Sequence, residues 1–154
     1  MIAPELVEQM QRVWRTLAEA IAQCDDAEWT RGGKDMATPA RAAIHTIETA
    51  EFYTREQIDG FTWGHRFSLD CEQAEATDLP SRQQVLAYLD EVATTTSNSL
   101  SALSDADLSR ATAFPWTGGT RLATVIYLMR HTQHHTAQIS AELRRRGLAP
   151  AAWH

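Results

Sequence analysis

The chain has 154 residues, enough for one domain that buries a substantial core without disulfides. Its formal net charge of −6 argues against a nucleic-acid partner, and no apolar run approaches the roughly 20 residues of a membrane span. Two widely spaced cysteines, Cys24 and Cys71, predict free thiols in a reducing compartment, and no signal-peptide pattern precedes them. We therefore expect a single cytoplasmic domain over residues 1–154, with no nucleic-acid or membrane partner.

Apolar residues that recur every three or four positions predict four long helices, each with one buried stripe. The first helix covers about 4–23. The second begins at Thr38-Pro39, because Thr38 can cap a helix and Pro39 suits its first turn, and it extends to about Ile58. Gly60 and Gly64 then mark a break, and the stretch 61–79 is predicted to be irregular.

The third helix begins near Ser81, which forms a capping-box pattern with Gln84, and its apolar face extends to Leu103. The fourth helix begins at about Thr120 and ends before Gly147, a residue suited to a left-handed cap. Strand-like alternation is not sustained anywhere in the chain. Four long helices joined by loops predict an all-α four-helix bundle.

The fourth helix carries two histidines at a spacing typical of metal sites. His131 and His135 are four residues apart, so a helix places both rings on one face, whereas His134 points further toward solvent. A third imidazole from elsewhere would complete a three-ligand site with an open position, and His45 and His65 are candidates. The alternative is that these histidines are surface residues or hydrogen-bonded core residues.

Two further polar residues lie one or two helical turns from these histidines. Gln138 falls near the edge occupied by His131 and is a candidate to bond a ligand ring or a substrate. Glu48 follows His45 by one turn and is either such a partner or a solvated surface group.

No general base is evident, although His134 or Glu48 could serve. A bound metal would activate either water or a thiol, and the sequence favours neither of these two uses.

Three segments taken together are characteristic of one protein family. They are Ala42-Ala43-Ile44-His45 followed by Glu51-Phe52-Tyr53, the run His131-Thr132-Gln133-His134-His135-Thr136-Ala137-Gln138, and the closing Leu143-Arg144-Arg145-Arg146-Gly147-Leu148-Ala149-Pro150. On these segments the chain resembles the DinB/YfiT-like superfamily of small bacterial helical-bundle metalloproteins, over nearly its whole length.

The resemblance implies an up-down-down-up chain path and a homodimer. It also implies a divalent metal, zinc, nickel or iron, held by His45, His131 and His135. Related proteins include transferases that join low-molecular-weight thiols to electrophiles, so the expected function is a metal-dependent thiol S-transferase or a hydrolase with a small-molecule substrate. The alternatives are a non-catalytic metal-binding stress-response protein and an interaction module with structural histidines. Many relatives have Arg-Gly where this chain has Thr136-Ala137, so a cationic anchor for the substrate is missing.

Overall fold

The computed structural model describes residues 1–154, and its regular structure consists of six α-helices and two short 3₁₀ turns. The helices are α1 (Ala3–Gln23), α2 (Asp26–Trp29), α3 (Pro39–Thr54), α4 (Arg82–Ser101), α5 (Asp105–Ser109) and α6 (Arg121–Arg145). The 3₁₀ turns are Ala76–Asp78 and Pro115–Thr117. None of the helices combines the length and the apolar character that crossing a membrane requires.

The four long helices α1, α3, α4 and α6 form the bundle. Helices α1 and α3 lie diagonally opposite one another, and each of them packs against both α4 and α6. The core between them contains the fully buried side chains of Met10, Leu17, Ile47 and Ile139. The prediction of an all-α bundle is confirmed.

Local capping sets several helix ends where the sequence indicates them. The start of α3 is an exception, because the predicted cap Thr38 makes no capping hydrogen bond and its hydroxyl donates instead to the Gly33 carbonyl at 2.7 Å. The Ser81 side chain accepts a hydrogen bond from the Gln84 backbone, and the Gln84 side chain accepts from the Ser81 backbone, so the predicted capping box starts α4. Gly147 follows α6 with φ +78°, and Leu148 N–H donates to the Leu143 carbonyl at 2.9 Å. This is the left-handed cap expected from the glycine.

The second predicted helix is shorter than its sequence pattern suggests. Helix α3 ends at Thr54 rather than near Ile58, because the backbone at Arg55 is extended and its guanidinium donates to the Asp59 carbonyl. Helix α2 was not predicted at all. A single turn capped by Asp25 offers too few residues for a periodic pattern.

Side-chain contacts show which helix ends meet. The hydroxyls of Thr54 and Thr96 are 3.0 Å apart and join the C-terminal turns of α3 and α4. Arg82, at the start of α4, donates to the Cys24 carbonyl just beyond the end of α1. These contacts are compatible with the up-down-down-up path, which stays a prediction.

The long segment between α3 and α4 folds against α3 and is held by a buried arginine. Arg41 is only 3% exposed, and its guanidinium donates to the backbone carbonyls of Gly33 (3.0 Å), Cys71 and Ala74 (2.6 Å). Further along the segment, Gly64 has φ +78°, and a side chain there would collide with the backbone of the same segment. Arg41 therefore fixes the part of this segment around Cys71 and Ala74 against the first turn of α3.

Candidate metal centre

Three imidazole rings meet where α3 and α6 pack together. Nε2 of His131 lies 3.2 Å from Nε2 of His45 and 3.1 Å from Nε2 of His135, and one ligand atom of each ring lies within 4.8 Å of the others. In a tetrahedral site with metal–nitrogen bonds of about 2.05 Å, neighbouring nitrogens are separated by about 3.3 Å. The two separations measured from His131 therefore fit nitrogens that share a single metal ion.

Hydrogen bonds on the far side of two rings determine where their lone pairs point. Nδ1–H of His45 donates to a carboxylate oxygen of Glu72 at 3.0 Å, and Nδ1–H of His135 donates to Oε1 of Gln138 at 2.7 Å. Because both partners are acceptors, each neutral ring carries its hydrogen on Nδ1 and directs the lone pair of Nε2 toward His131. One hydrogen on His131 could satisfy only one of these two lone pairs well, whereas a cation satisfies all three rings.

Burial keeps these rings in the form that binds metals. Burial, with smaller contributions from the neighbouring His135 and His45, lowers the pKa of His131 to about 3. Burial also lowers the pKa of His135, although its bond to Gln138 acts in the opposite direction. Both rings are therefore neutral near pH 7, which is the state of a ligating imidazole. Nδ1 of His131 is buried without a partner, and its ring stacks on Tyr127 at 6.2 Å between centroids.

A cavity of about 350 Å³ opens beside His45. Its wall combines residues of α3 with the segment that follows α3, namely Arg41, Ile44, His45, Glu48, Trp63, Gly64, Asp70, Cys71 and Glu72. Trp63 is half exposed and stands between the cavity and solvent. The volume is within the range of small-molecule sites, and His45 is the member of the histidine cluster that lines the cavity.

The structure places the two residues proposed as partners of the cluster, Gln138 and Glu48, in different roles. Gln138 bonds His135, although the helical wheel placed it near the edge of His131. Glu48 is 8% exposed, so the solvated alternative is wrong for this residue. Its carboxylate accepts a hydrogen bond from the backbone N–H of Gly64 rather than from His45, and burial raises its pKa.

The two remaining histidine candidates lie outside the cluster. His134 is exposed on α6, and its ring meets that of His135 edge-on at 5.0 Å between centroids. His65 bonds the carboxylate of Glu51 at 2.9 Å and lines a different cavity. His45, and not His65, is the third histidine that the fold brings to the pair on α6.

Glu72 is the partner of the cluster that sequence reasoning missed. A carboxylate that bonds the second nitrogen of a metal-ligating histidine is common in metal sites. The chain contains 20 acidic residues, and Glu72 lies 27 positions from His45 in an irregular segment. Only the path of that segment across α3 shows which of these acidic residues contacts His45.

The bundle and the histidine cluster together define a class of protein, an all-α bundle that presents nitrogen donors for one metal ion. The family model of the DinB superfamily matches residues 9–139, and the chain belongs to this superfamily. The matched region contains all three histidines as well as Glu72 and Gln138. No curated protein matches the sequence.

Proposed function

We propose that the protein is a metal-dependent enzyme in which His45, His131 and His135 hold one divalent transition metal ion, with zinc, nickel and iron as candidates. The convergence of the three Nε2 atoms, two of them oriented by hydrogen bonds to Nδ1, is the observation that carries the proposal. A bound ion would act as a Lewis acid that lowers the pKa of a thiol or a water at its open position.

The reaction we propose is the transfer of a low-molecular-weight thiol to an electrophile, with hydrolysis as the second use of the same site. The thiol has to come from solution, because the two cysteines of the chain are buried and unpaired. Burial raises the pKa of each of them, Cys24 and Cys71, to about 11, so both stay protonated and unreactive near pH 7. The cavity of about 350 Å³ beside His45 offers space for the small-molecule substrate.

The residues around the cluster have separate roles in this proposal. Glu72 and Gln138 hold the rings of His45 and His135 in the orientation that directs Nε2 inward. Glu48 lines the cavity, and because burial raises its pKa it holds a proton to higher pH than an ordinary glutamate does. We assign to Glu48 the delivery of a proton to the electrophile as its new bond to sulfur forms.

The setting of the proposed reaction follows from the sequence and the family. Free buried cysteines suit a reducing cytoplasm, where low-molecular-weight thiols are abundant. The homodimer is proposed from the family resemblance alone. We propose no nucleic-acid partner, in line with the net charge of −6.

Metal analysis of protein purified without a histidine tag tests the ligand assignment. We expect close to one equivalent of metal per chain in the wild type, and loss of that metal in His45→Ala, His131→Ala and His135→Ala. His134→Ala is the matched control, because this histidine lies on the same helix but outside the cluster. A full equivalent of metal in His131→Ala would refute the assignment.

Thiol-conjugation assays then test catalysis. Metal-loaded protein should consume a thiol in the presence of an electrophile, and chelator-treated protein should not. Hydrolysis of the same electrophile without thiol would assign the site to water activation. Full metal occupancy without turnover across thiols and electrophiles would instead favour the non-catalytic metal-binding stress-response protein.

A further inference from the structure

A second and larger cavity lies between α3, α4 and the segment that follows α3. Its volume is about 670 Å³, compared with about 350 Å³ for the cavity beside His45. Residues 60–66 form the partition between the two. Thr62 and His65 line the larger cavity, whereas Trp63 and Gly64 line the cavity of the histidine cluster. The larger cavity is therefore a separate compartment, and the proposed metal chemistry leaves it unused.

The wall of this larger cavity is rich in hydroxyl groups. Six hydroxyl side chains line it: Thr54, Thr62, Tyr88, Thr95, Thr96 and Ser99. Several of them already donate to the protein, as Thr95 does to the Glu91 carbonyl at 2.9 Å, but each retains lone pairs that can accept from a ligand. Ligand cavities are usually lined mainly by apolar side chains, so this composition favours a ligand with many hydrogen-bonding groups.

The other charged groups of the cavity already have partners within the protein. Arg66 pairs with Glu91 at 2.6 Å and lies over the ring of Tyr88. The carboxylate of Glu51 accepts hydrogen bonds from the Tyr88 hydroxyl and from His65 at 2.9 Å. Burial raises the pKa of Tyr88, so this phenol stays protonated and continues to donate.

Arg55 is the arginine of this cavity that has no carboxylate partner. Its guanidinium makes one hydrogen bond, to the backbone carbonyl of Asp59 at 2.6 Å, and it lies 5.4 Å from the centre of the Phe61 ring. Stacking on an aromatic ring holds the plane of the guanidinium in place while most of its N–H groups stay available. A planar donor with free N–H groups at the wall of a polar cavity is suited to a carboxylate.

We propose that the α3–α4 cavity binds a small polyhydroxylated molecule with one carboxylate, as in a sugar acid. The carboxylate pairs with Arg55, the hydroxyls bond the threonine and serine side chains of α3 and α4, and the carbon chain lies against Phe61. This site is independent of the metal. Binding is therefore expected in the metal-free protein as well, and its failure would leave the proposed metal chemistry untouched.

Nuclear magnetic resonance titration of the metal-free, ¹⁵N-labelled protein tests the proposal with gluconate as the probe. We expect saturable shifts of the backbone amides of Gly60, Thr95 and Thr96 at millimolar gluconate. Three matched probes separate the contributions: sorbitol has the hydroxyls without the carboxylate, acetate has the carboxylate without the hydroxyls, and inorganic phosphate is a different anion. Each of them should bind at least tenfold more weakly than gluconate. Equal binding of sorbitol or stronger binding of phosphate would overturn the proposed ligand class.

Variants of the arginine test the assigned contact. Arg55→Gln should weaken gluconate binding at least tenfold, because a charge-assisted hydrogen bond is lost, whereas Arg55→Lys should retain part of it. Arg15→Gln is the control, since Arg15 is exposed on α1 and lines neither cavity. Chemical-shift dispersion verifies that each variant is folded. Absence of saturable shifts in the wild type, or unchanged affinity in a folded Arg55→Gln variant, would overturn the proposal.

Discussion

Replacing Gln138 by leucine should weaken zinc binding although no ligand is touched. In the wild type, Oε1 of Gln138 is the only acceptor for Nδ1–H of His135, at 2.7 Å, and His135 is 8% exposed. Leucine has a similar volume but no acceptor, so Nδ1–H is left buried without a partner, at a cost of about 1–3 kcal/mol. The ring also becomes free to turn its Nε2 away from the cluster.

The expected magnitude follows from these two effects. Loss of a hydrogen-bond partner behind a ligating histidine typically lowers metal affinity by about 10–100-fold, which corresponds to roughly 1.4–2.7 kcal/mol and agrees with the cost of the orphaned donor. Competition against a chromophoric zinc chelator measures this change directly. Gln138→Glu, which keeps an acceptor, should bind zinc at least as tightly as the wild type.

The control is Gln133→Leu, an exposed position on the same helix. It changes the same chemical group outside the cluster and should leave zinc affinity unaltered. If Gln138→Leu binds zinc as tightly as Gln133→Leu, the hydrogen bond does not orient His135. If the wild type and both variants fail to bind zinc, the assignment of the metal centre itself is wrong.

Three further changes have outcomes that the structure specifies. Leu17→Ala, at a fully buried core position, should lower the free energy of unfolding by about 2–5 kcal/mol in urea titrations while the variant retains its zinc stoichiometry. Ser81→Ala removes one half of the capping box with Gln84 and should cost about 0.5–2 kcal/mol in the same measurement. Glu48→Gln should raise the melting temperature of the metal-free protein near pH 7 but not in acid. Burial raises the folded-state pKa of Glu48 above its ordinary value of 4.5, so its contribution to stability is present below that value and is lost as the pH rises through the folded-state pKa. Equal stabilisation by this change at both pH values would contradict the assigned cause.

The sequence predicts what depends on residues close together in the chain. Long helices and the pair His131 and His135 follow from a period of 3.6 residues, and the capping box at Ser81 spans only three positions. Contacts between distant segments are different. The histidine on α3 lies 86 positions from its neighbour on α6, and it was assigned through the family resemblance, because spacing alone left His65 as an alternative.

The features that sequence reasoning missed belong to irregular segments. Glu72 lies in a segment without a periodic pattern and meets His45 only through the fold, and Arg55 lies where the backbone leaves the predicted helix. The end of α3 was placed four residues too late for the same reason, since an apolar residue at Ile58 continues the helical pattern after the backbone has already turned away.

The buried guanidinium of Arg41 has a consequence for how this protein tolerates sequence change. Arg41 contacts the segment that carries Glu72 only through main-chain oxygens, at Cys71 and Ala74, and it occupies the helical turn just before His45. Since every residue type supplies the same carbonyl group, these two hydrogen bonds do not depend on the chemistry of the side chains at positions 71 and 74. Substitution of the arginine itself would release the carboxylate of Glu72. The orientation of His45 therefore depends on Arg41, although the hydrogen bonds of this guanidinium all go to backbone carbonyls and none goes to a histidine.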